Sequence, residues 1–529
     1  MTTTQRYDAI VIGGGHNGLV NAAYLARAGK KVVVLERRHL VGGAAVTEEI
    51  YPGFKYSVFS YVVSLLRPEI IRDLDLPRHG LEILPLESTV TPMLDGNYLA
   101  AWADHDQTRR EILRHSSRDA DAYDEYGRMM HHMAMAVKPI LAMVPPDPTS
   151  LAPSDLRGML GFAGIFRSLP TKQFHQLYKL MTMSAGDYLD EWFETDVLKA
   201  TKSASGIIGT FMGPRTPGSA YVLLHHYMGE IDGAFRAWGF AKGGTGAISE
   251  SIASAARSFG AEIRLSTTVK QVIVKNGRTT GVALDNGDEL HAPVVVTSLD
   301  PKRSFLQLVE RKELPADFLQ DVERYKIRGS SGKVNLSLSE LPNLTCMPGA
   351  GPHHRGAISI SPSMEYVETA YDDAKYGNFS REPYMDIVIP SMIDPHMAPP
   401  GQHVMSIFVQ YAPSNITGGW NAEKREAFGD AVVNAVDRIA PNFKQSILHR
   451  QVLTPADIES ITGLTDGNIF QGELALHQLF FLRPAPGWAK FRAPLKGFYQ
   501  CGSATHPGGG IMGAGGRLAA LEILRDGLR

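Results

Sequence analysis

DAIVIGGGHNGLVNAAYLARAGKKVVVLE, residues 8–36, decides how this chain folds. An apolar run, Ala9 to Ile12, leads into Gly13, Gly15 and Gly18; a helix-like segment with Ala22 and Ala23 follows, then Gly29, a second apolar run Val32 to Leu35, and Glu36. Strand, glycine turn, helix, strand and acid in that order spell a dinucleotide-binding βαβ unit. Gly13 allows the turn off the strand, Gly15 lets backbone approach a pyrophosphate, and Gly18 with Ala22 lets the helix lie close on the sheet. The phosphates then meet the helix N-terminus, where free N–H groups and the helix dipole favour negative charge. Glu36 is placed to accept a ribose 2′-OH and would repel a 2′-phosphate, which disfavours NADP. The motif alone does not separate FAD from NAD.

Working outward, the glycine pair Gly42 and Gly43 suits a loop that runs back over a long cofactor, which favours FAD. At the other end of the sequence, GFYQCGSATHPGGGIMGAGGRLAALEIL, residues 497–524, again reads strand (Phe498 to Cys501), glycine turn (Gly502 to Gly516) and helix (Arg517 to Leu524). Two glycine turns at helix N-termini can share one extended ligand. Between them, Lys242 to Gly246 opens a helix with Ile248, Ile252 and Ala256 on its apolar face. Strands are expected at Glu262 to Leu265, Val269 to Lys275 and Thr280 to Leu284, with Asn276-Gly277 and Asn286-Gly287 as hairpin turns, and a buried strand at Val294 to Thr297.

The expected fold class is therefore α/β. A discontinuous Rossmann-like FAD-binding domain takes residues 1–66, 240–305 and 490–529, and an α+β substrate domain with a helical cap takes 67–239 and 306–489. From Arg67 to Gly206 the texture is helical; Asp119 to Pro139 carries Tyr123, Tyr126, Met130, Met133 and Val137 on one stripe. Met159, Phe162, Ile165, Phe166, Met181 and Met183 suit a core or a pocket for flexible ligands. A further reading lays this region on a bilayer, with Arg157, Arg167 and Lys172 facing headgroups. Residues 301–442 alternate at period two, which implies a sheet with one covered face, and the helix Ala422 to Ile439 is placed to cover it.

A chain of 529 residues implies two packed domains. With 44% hydrophobic residues and a formal charge of -2, it implies no nucleic-acid partner. Its apolar runs fall short of the ~20 residues of a membrane span. Only seven residues precede Asp8, too few for a signal or transit peptide. A cytoplasmic location is expected, with peripheral membrane contact and oligomeric state left open. Cys346 and Cys501 form no CxxC, and the histidines show no HExxH spacing, so neither a redox dithiol nor a metal is expected.

These residues resemble a known family. GGGHNGLVNAAYLARAGKKVVVLERR, VGGAAVTEEIYPGFKYS, HHYMGEIDGAFRAWGFAKGGTGAISE, GLTDGNIFQGELALHQLFFLRPAPG and CGSATHPGGGIMGAGG are similar to the FAD-dependent phytoene desaturase and carotenoid isomerase-like oxidoreductases. Within them the chain most resembles the group named for a pyridine nucleotide-disulphide oxidoreductase domain. The resemblance implies a two-domain, amine-oxidase-like flavoprotein with non-covalent FAD. By position, Gly13, Gly15 and Gly18 would face the pyrophosphate, Glu36 the adenosine ribose, and the Val269 backbone the adenine; Gly502 and Met512 would lie along the ribityl and ring end. Many relatives have arginine after the glycine pair, where this sequence has Ala44.

The reaction implied is hydride removal from a C–H bond of a largely apolar small molecule, which needs few acid or base groups. For a proton that must also move, the candidates are His226 with Glu230, four residues apart on an expected helix, and His506 in the C-terminal turn. Two alternatives stand beside it: a non-redox isomerase of a polyene or enone, and a flavin-stabilised protein that binds a partner.

Overall fold

The computed structural model describes residues 6–528 apart from 232 and 236. Five parallel strands form the first sheet in the order Glu262–Arg264, Val32–Leu35, Ala9–Ile12, Val294–Thr297, Phe498–Gln500. Counted along the chain this is 3-2-1-4-5, the Rossmann arrangement. Ala9 is opposite both Val32 and Val294, and Val295 is opposite Phe498. The β-branched runs are buried throughout, as a parallel sheet covered on both faces requires. One face packs on the helices His16–Arg27, Gly246–Ser258 and Ala514–Arg525 through Ala9, Val11, Ala22, Ile252 and Leu518. The other packs on a three-stranded meander, Val269–Lys275, Arg278–Leu284 and Glu289–His291, through Ile10, Val33, Val272 and Val282. Positive φ at Asn276 (53°) and Gly277 (69°) makes the expected turn. Glu262–Arg264 belongs to the parallel sheet and not to the meander.

The second sheet has seven strands in the order Ile447–Leu453, Ser331–Leu338, His403–Gln410, Tyr384–Val388, Ala357–Ile360, Ser88–Pro92, Tyr98–Trp102. Its last two strands correct the reading of 67–206 as helical. They form a hairpin turned around Asp95-Gly96, a dipeptide that favours such turns. The expectation of one covered face is also corrected. All eight residues of Ser331–Leu338 are buried. The apolar half, Val334, Leu336 and Leu338, packs with Phe428, Val432 and Val436 of the helix Ala422–Asp437. The polar half faces the segment 56–60: Lys333 Nζ donates to the Ser57 carbonyl at 2.8 Å, and Asn335 Nδ2 to that of Val58 at 3.0 Å.

Above these sheets lies a helical cap. Its longest helix, Ser117–Leu141, is capped by Ser116, whose Oγ accepts the Asp119 N–H, and it buries Tyr126, Met130, Met133 and Val137 as the stripe predicts. Among the described residues no helix is long and apolar enough to cross a membrane.

Candidate active site

A cavity of about 1260 Å³, its open mouth included, is lined from both sheets.

Its polar end is built by the first βαβ unit. Gly13 has φ +93°, and a Cβ there would stand 2.4 Å from Ser298 Oγ, which itself donates to the Ile12 and Gly13 carbonyls. A Cβ on Gly15 would meet nothing within 4 Å, so that backbone is open to a ligand. Gly15 caps the helix His16–Arg27 without a side-chain bond, and the first turn holds no acid; its N–H groups are free for an anion. Gly42 donates to the Gly14 carbonyl at 2.8 Å, which seats the glycine pair on this turn. Glu36 accepts from the Gly14 N–H at 2.7 Å and the Arg38 N–H at 2.8 Å, and its remaining lone pairs border the cavity. Burial lowers the His16 imidazole to about 4, and its buried Nε2 has no partner. An open glycine cradle, a free helix terminus, an acid at its edge and an orphaned polar atom fit the adenosine and pyrophosphate of FAD.

The far end is aromatic. Tyr61 stacks on Phe408 (5.4 Å, 14°) and His226 on Trp238 (6.0 Å, 12°), with Phe470 beside it at 6.1 Å; all five line the cavity. The Tyr61 hydroxyl is drawn off to half-buried Asp386, 3.0 Å away, whose carboxyl is pushed upward by desolvation. Burial lowers His226, and its Nδ1 lies 3.0 Å from the Val222 carbonyl. Its ring is a neutral wall.

The site residues expected from sequence divide accordingly. Gly13, Gly15, Glu36, Gly42, Gly43, Ala44 and His226 line the cavity. Gly18 is one step behind: a Cβ there would fall 2.2 Å from the Gly13 carbonyl. Gly502 is wedged between Gln471 and the Ser298 carbonyl, while its neighbour Ser503 reaches the cavity. Met512 is buried in the helical cap and its carbonyl accepts the Arg67 N–H; Gly510 and Ile511 border the cavity in its place. Val269 begins the meander and packs on its core, outside the lining.

Two expected catalytic groups lie elsewhere. The helix Ser219–Tyr227 ends before Glu230, which sits on the short strand Glu230–Ile231 and ion-pairs with Lys138. The Asp232 that follows lies outside the described residues. His506 turns its Nε2 to the Ile140 carbonyl at 2.8 Å, near the end of a cap helix, and burial lowers it to about 4. Both cysteines are free, and burial raises the Cys501 thiol.

The residues missed are those behind the walls. Lys333 is 1% exposed, with Nζ bonded to the Ser57 and Ser60 carbonyls and Asn335 Oδ1, directly behind Phe59 to Tyr61. A lysine inside a strand this regular was the available signal. Arg483, fully buried, had none.

Gly18→Ala is expected to cost about 2 kcal/mol, because the carbonyl it strikes belongs to the Gly13 turn. Lower flavin content per chain and a lower unfolding midpoint measure it; a variant with full flavin would assign Gly18 no packing role.

Residues 184–524 match the family model for flavin containing amine oxidoreductase, and residues 11–73 match that for an NAD(P)-binding Rossmann-like domain. The chain is 41% identical to pyridine nucleotide-disulfide oxidoreductase domain-containing protein 2 of Rattus norvegicus, over 98% of this chain and 94% of that one. It is 27% identical to a limonene dehydrogenase component of Castellaniella defragrans, over 99% and 96%. In fold it is similar to cyclohexylamine oxidase from Brevibacterium oxydans, with a TM-score of 0.57 at 18% identity, over 99% and 100% of the two chains.

Proposed function

The chain belongs to the flavin containing amine oxidoreductase family, and from that premise we propose that it takes a hydride from a C–H bond of an uncharged, largely apolar small molecule. It does so as a dehydrogenase or desaturase with non-covalent FAD. Bound FAD supplies the two-electron acceptor.

The carrying observation is the charge of the aromatic end. The titratable side chains among the cavity's described lining residues are His16, Glu36, Tyr61 and His226. Glu36 and His16 belong to the cofactor's polar half, the Tyr61 hydroxyl is held by Asp386, and His226 is kept neutral. A buried ammonium is costly without a counter-charge, and the aromatic end offers no carboxylate among its described lining residues. Its two stacked ring pairs instead give a flat, dry slot for an unsaturated or ring-containing molecule. One C–H bond gives up hydride, the adjacent carbon loses its hydrogen as a proton that leaves through the cavity's open mouth to bulk solvent, and a C=C bond forms. Tyr61, Phe408 and Trp238 orient the substrate and exclude water. The Castellaniella defragrans relative carries in its name, limonene dehydrogenase, a substrate of this class.

Anaerobic mixing with cyclic monoterpenes and their amine analogues tests this. The hydrocarbons are expected to bleach the flavin and yield a product two hydrogens lighter. Faster bleaching by the amines would overturn the reading, as would a product of unchanged mass with the flavin still oxidised, which is the isomerase outcome.

A further inference from the structure

We propose that the outward face of the helix Pro153–Arg167 docks this protein on the anionic surface of a lipid bilayer. A helix on a protein surface ordinarily turns its polar side to water. This one turns out Leu156 (47% exposed) and Leu160 (75%), with Ala163 one turn on and Leu151 (84%) just before it. Its attachment to the body uses the opposite side. Phe162, Ile165 and Phe166 pack on the helical-cap core, and Phe162 stacks on Phe480 at 4.7 Å. Leu160, three-quarters exposed, therefore adds little to holding the helix in place. The next helix, Thr171–Thr182, exposes Phe174 and Tyr178 one turn apart. Leu156 and Leu160, one helical turn apart, form an exposed apolar stripe of the kind that marks an interaction surface.

Charge selects the partner. Between Leu151 and Thr182 the single acidic residue is Asp155, which is buried and paired with Lys490. Lys172 and Lys179 pair with Glu125 and Glu191. Arg157 and Arg167 are exposed, and among the described residues no carboxylate lies within ion-pair reach of either. A second copy of the chain on a two-fold axis would set this face against itself, bringing the same arginines together without counter-charge. An anionic bilayer accepts both features: leucines enter the acyl boundary while arginines meet phosphate. The proposal does not depend on the reaction assigned above.

Flotation of the full-length, FAD-loaded protein with phosphatidylcholine vesicles, and with phosphatidylcholine and phosphatidylglycerol mixed roughly two to one, tests it. The bound fraction is expected to be about 10-fold higher on the mixed vesicles. Leu156→Asp with Leu160→Asp should abolish binding to them. Arg157→Glu with Arg167→Glu should erase the preference for phosphatidylglycerol. Bound flavin reports that each variant is folded, and Leu94→Asp, at an equally solvent-facing leucine (65%) in the hairpin turn, should behave as wild type. Wild type failing to float with either vesicle would overturn the proposal. So would Leu94→Asp losing binding as fully as the leucine pair. A solution mass twice that of one chain, halved by the leucine substitutions, would assign the face to a second copy and likewise overturn it.

Discussion

Arg483→Met is expected to destabilise the protein by roughly 3–5 kcal/mol and to empty it of flavin. The guanidinium is fully buried, and carbonyls rather than carboxylates hold it. Nη1 donates to those of Glu473 (3.2 Å) and Gln478 (3.3 Å), and Nη2 to those of Phe470 (3.2 Å), Gly472 (3.3 Å) and Ser503 (2.9 Å). Phe470 and Ser503 lie on separate loops of the C-terminal region and both line the cavity. The arginine thus ties two parts of the cavity wall together, and methionine would leave the Gln478, Phe470, Gly472 and Ser503 carbonyls without this donor, while that of Glu473 keeps Gln478 Nε2 at 3.3 Å. Lysine, a compact ammonium with three donors, should rescue only part of the loss. Thermal unfolding and flavin absorbance per chain measure the effect. A methionine variant with the wild-type midpoint would show that the carbonyls find other donors.

Lys333→Met should change how stability depends on pH. Burial lowers the Lys333 ammonium to about 7, and its bonds go to carbonyls and an amide oxygen rather than to a carboxylate. In the unfolded chain lysine titrates near ~10.4. Between these values the unfolded state holds a proton that the folded state has released, so stability rises with pH across that window. Methionine removes this term. The stability of wild type relative to the variant is therefore expected to grow by roughly 3 kcal/mol from about pH 7 to about pH 9.5. Unfolding midpoints of the two proteins, measured in parallel, should diverge over that range; parallel lines would mean that Lys333 stays charged when folded.

The glycine-turn end of the candidate site was legible because its requirements are local. Gly13, Gly15, Gly42 and Glu36 fall where the spacing puts them, since a tight turn, a helix terminus and a strand end are made by neighbours in sequence. The far half was not, because it is assembled from remote segments. Tyr61 meets Phe408, and His226 meets Trp238 and Phe470, through sheet and cap packing that no periodicity encodes. His506 and Glu230 were chosen for their chemistry, yet neither is among the cavity's lining residues, and one bonds to the Ile140 carbonyl and the other ion-pairs with Lys138. The polar alternation of Ser331–Leu338 looks like a solvent face; it is a second buried interface, because Lys333 and Asn335 satisfy the carbonyls of 57–60.

The strand order of the parallel sheet has a consequence for biosynthesis. Ala9–Ile12 leaves the ribosome early, but its neighbour Val294–Thr297 and the outer strand Phe498–Gln500 follow by hundreds of residues. At ~5–20 residues per second, roughly 25–100 s separate the first strand from the last. Until Val294–Thr297 arrives the nascent glycine turn has one open flank, and the last lining residues, Phe470 to Ile511, come near the end, so FAD cannot be fully enclosed until translation is nearly over. Cofactor capture is then a terminal event of maturation, and the early βαβ unit must be kept from pairing with other chains until its own distant strands arrive.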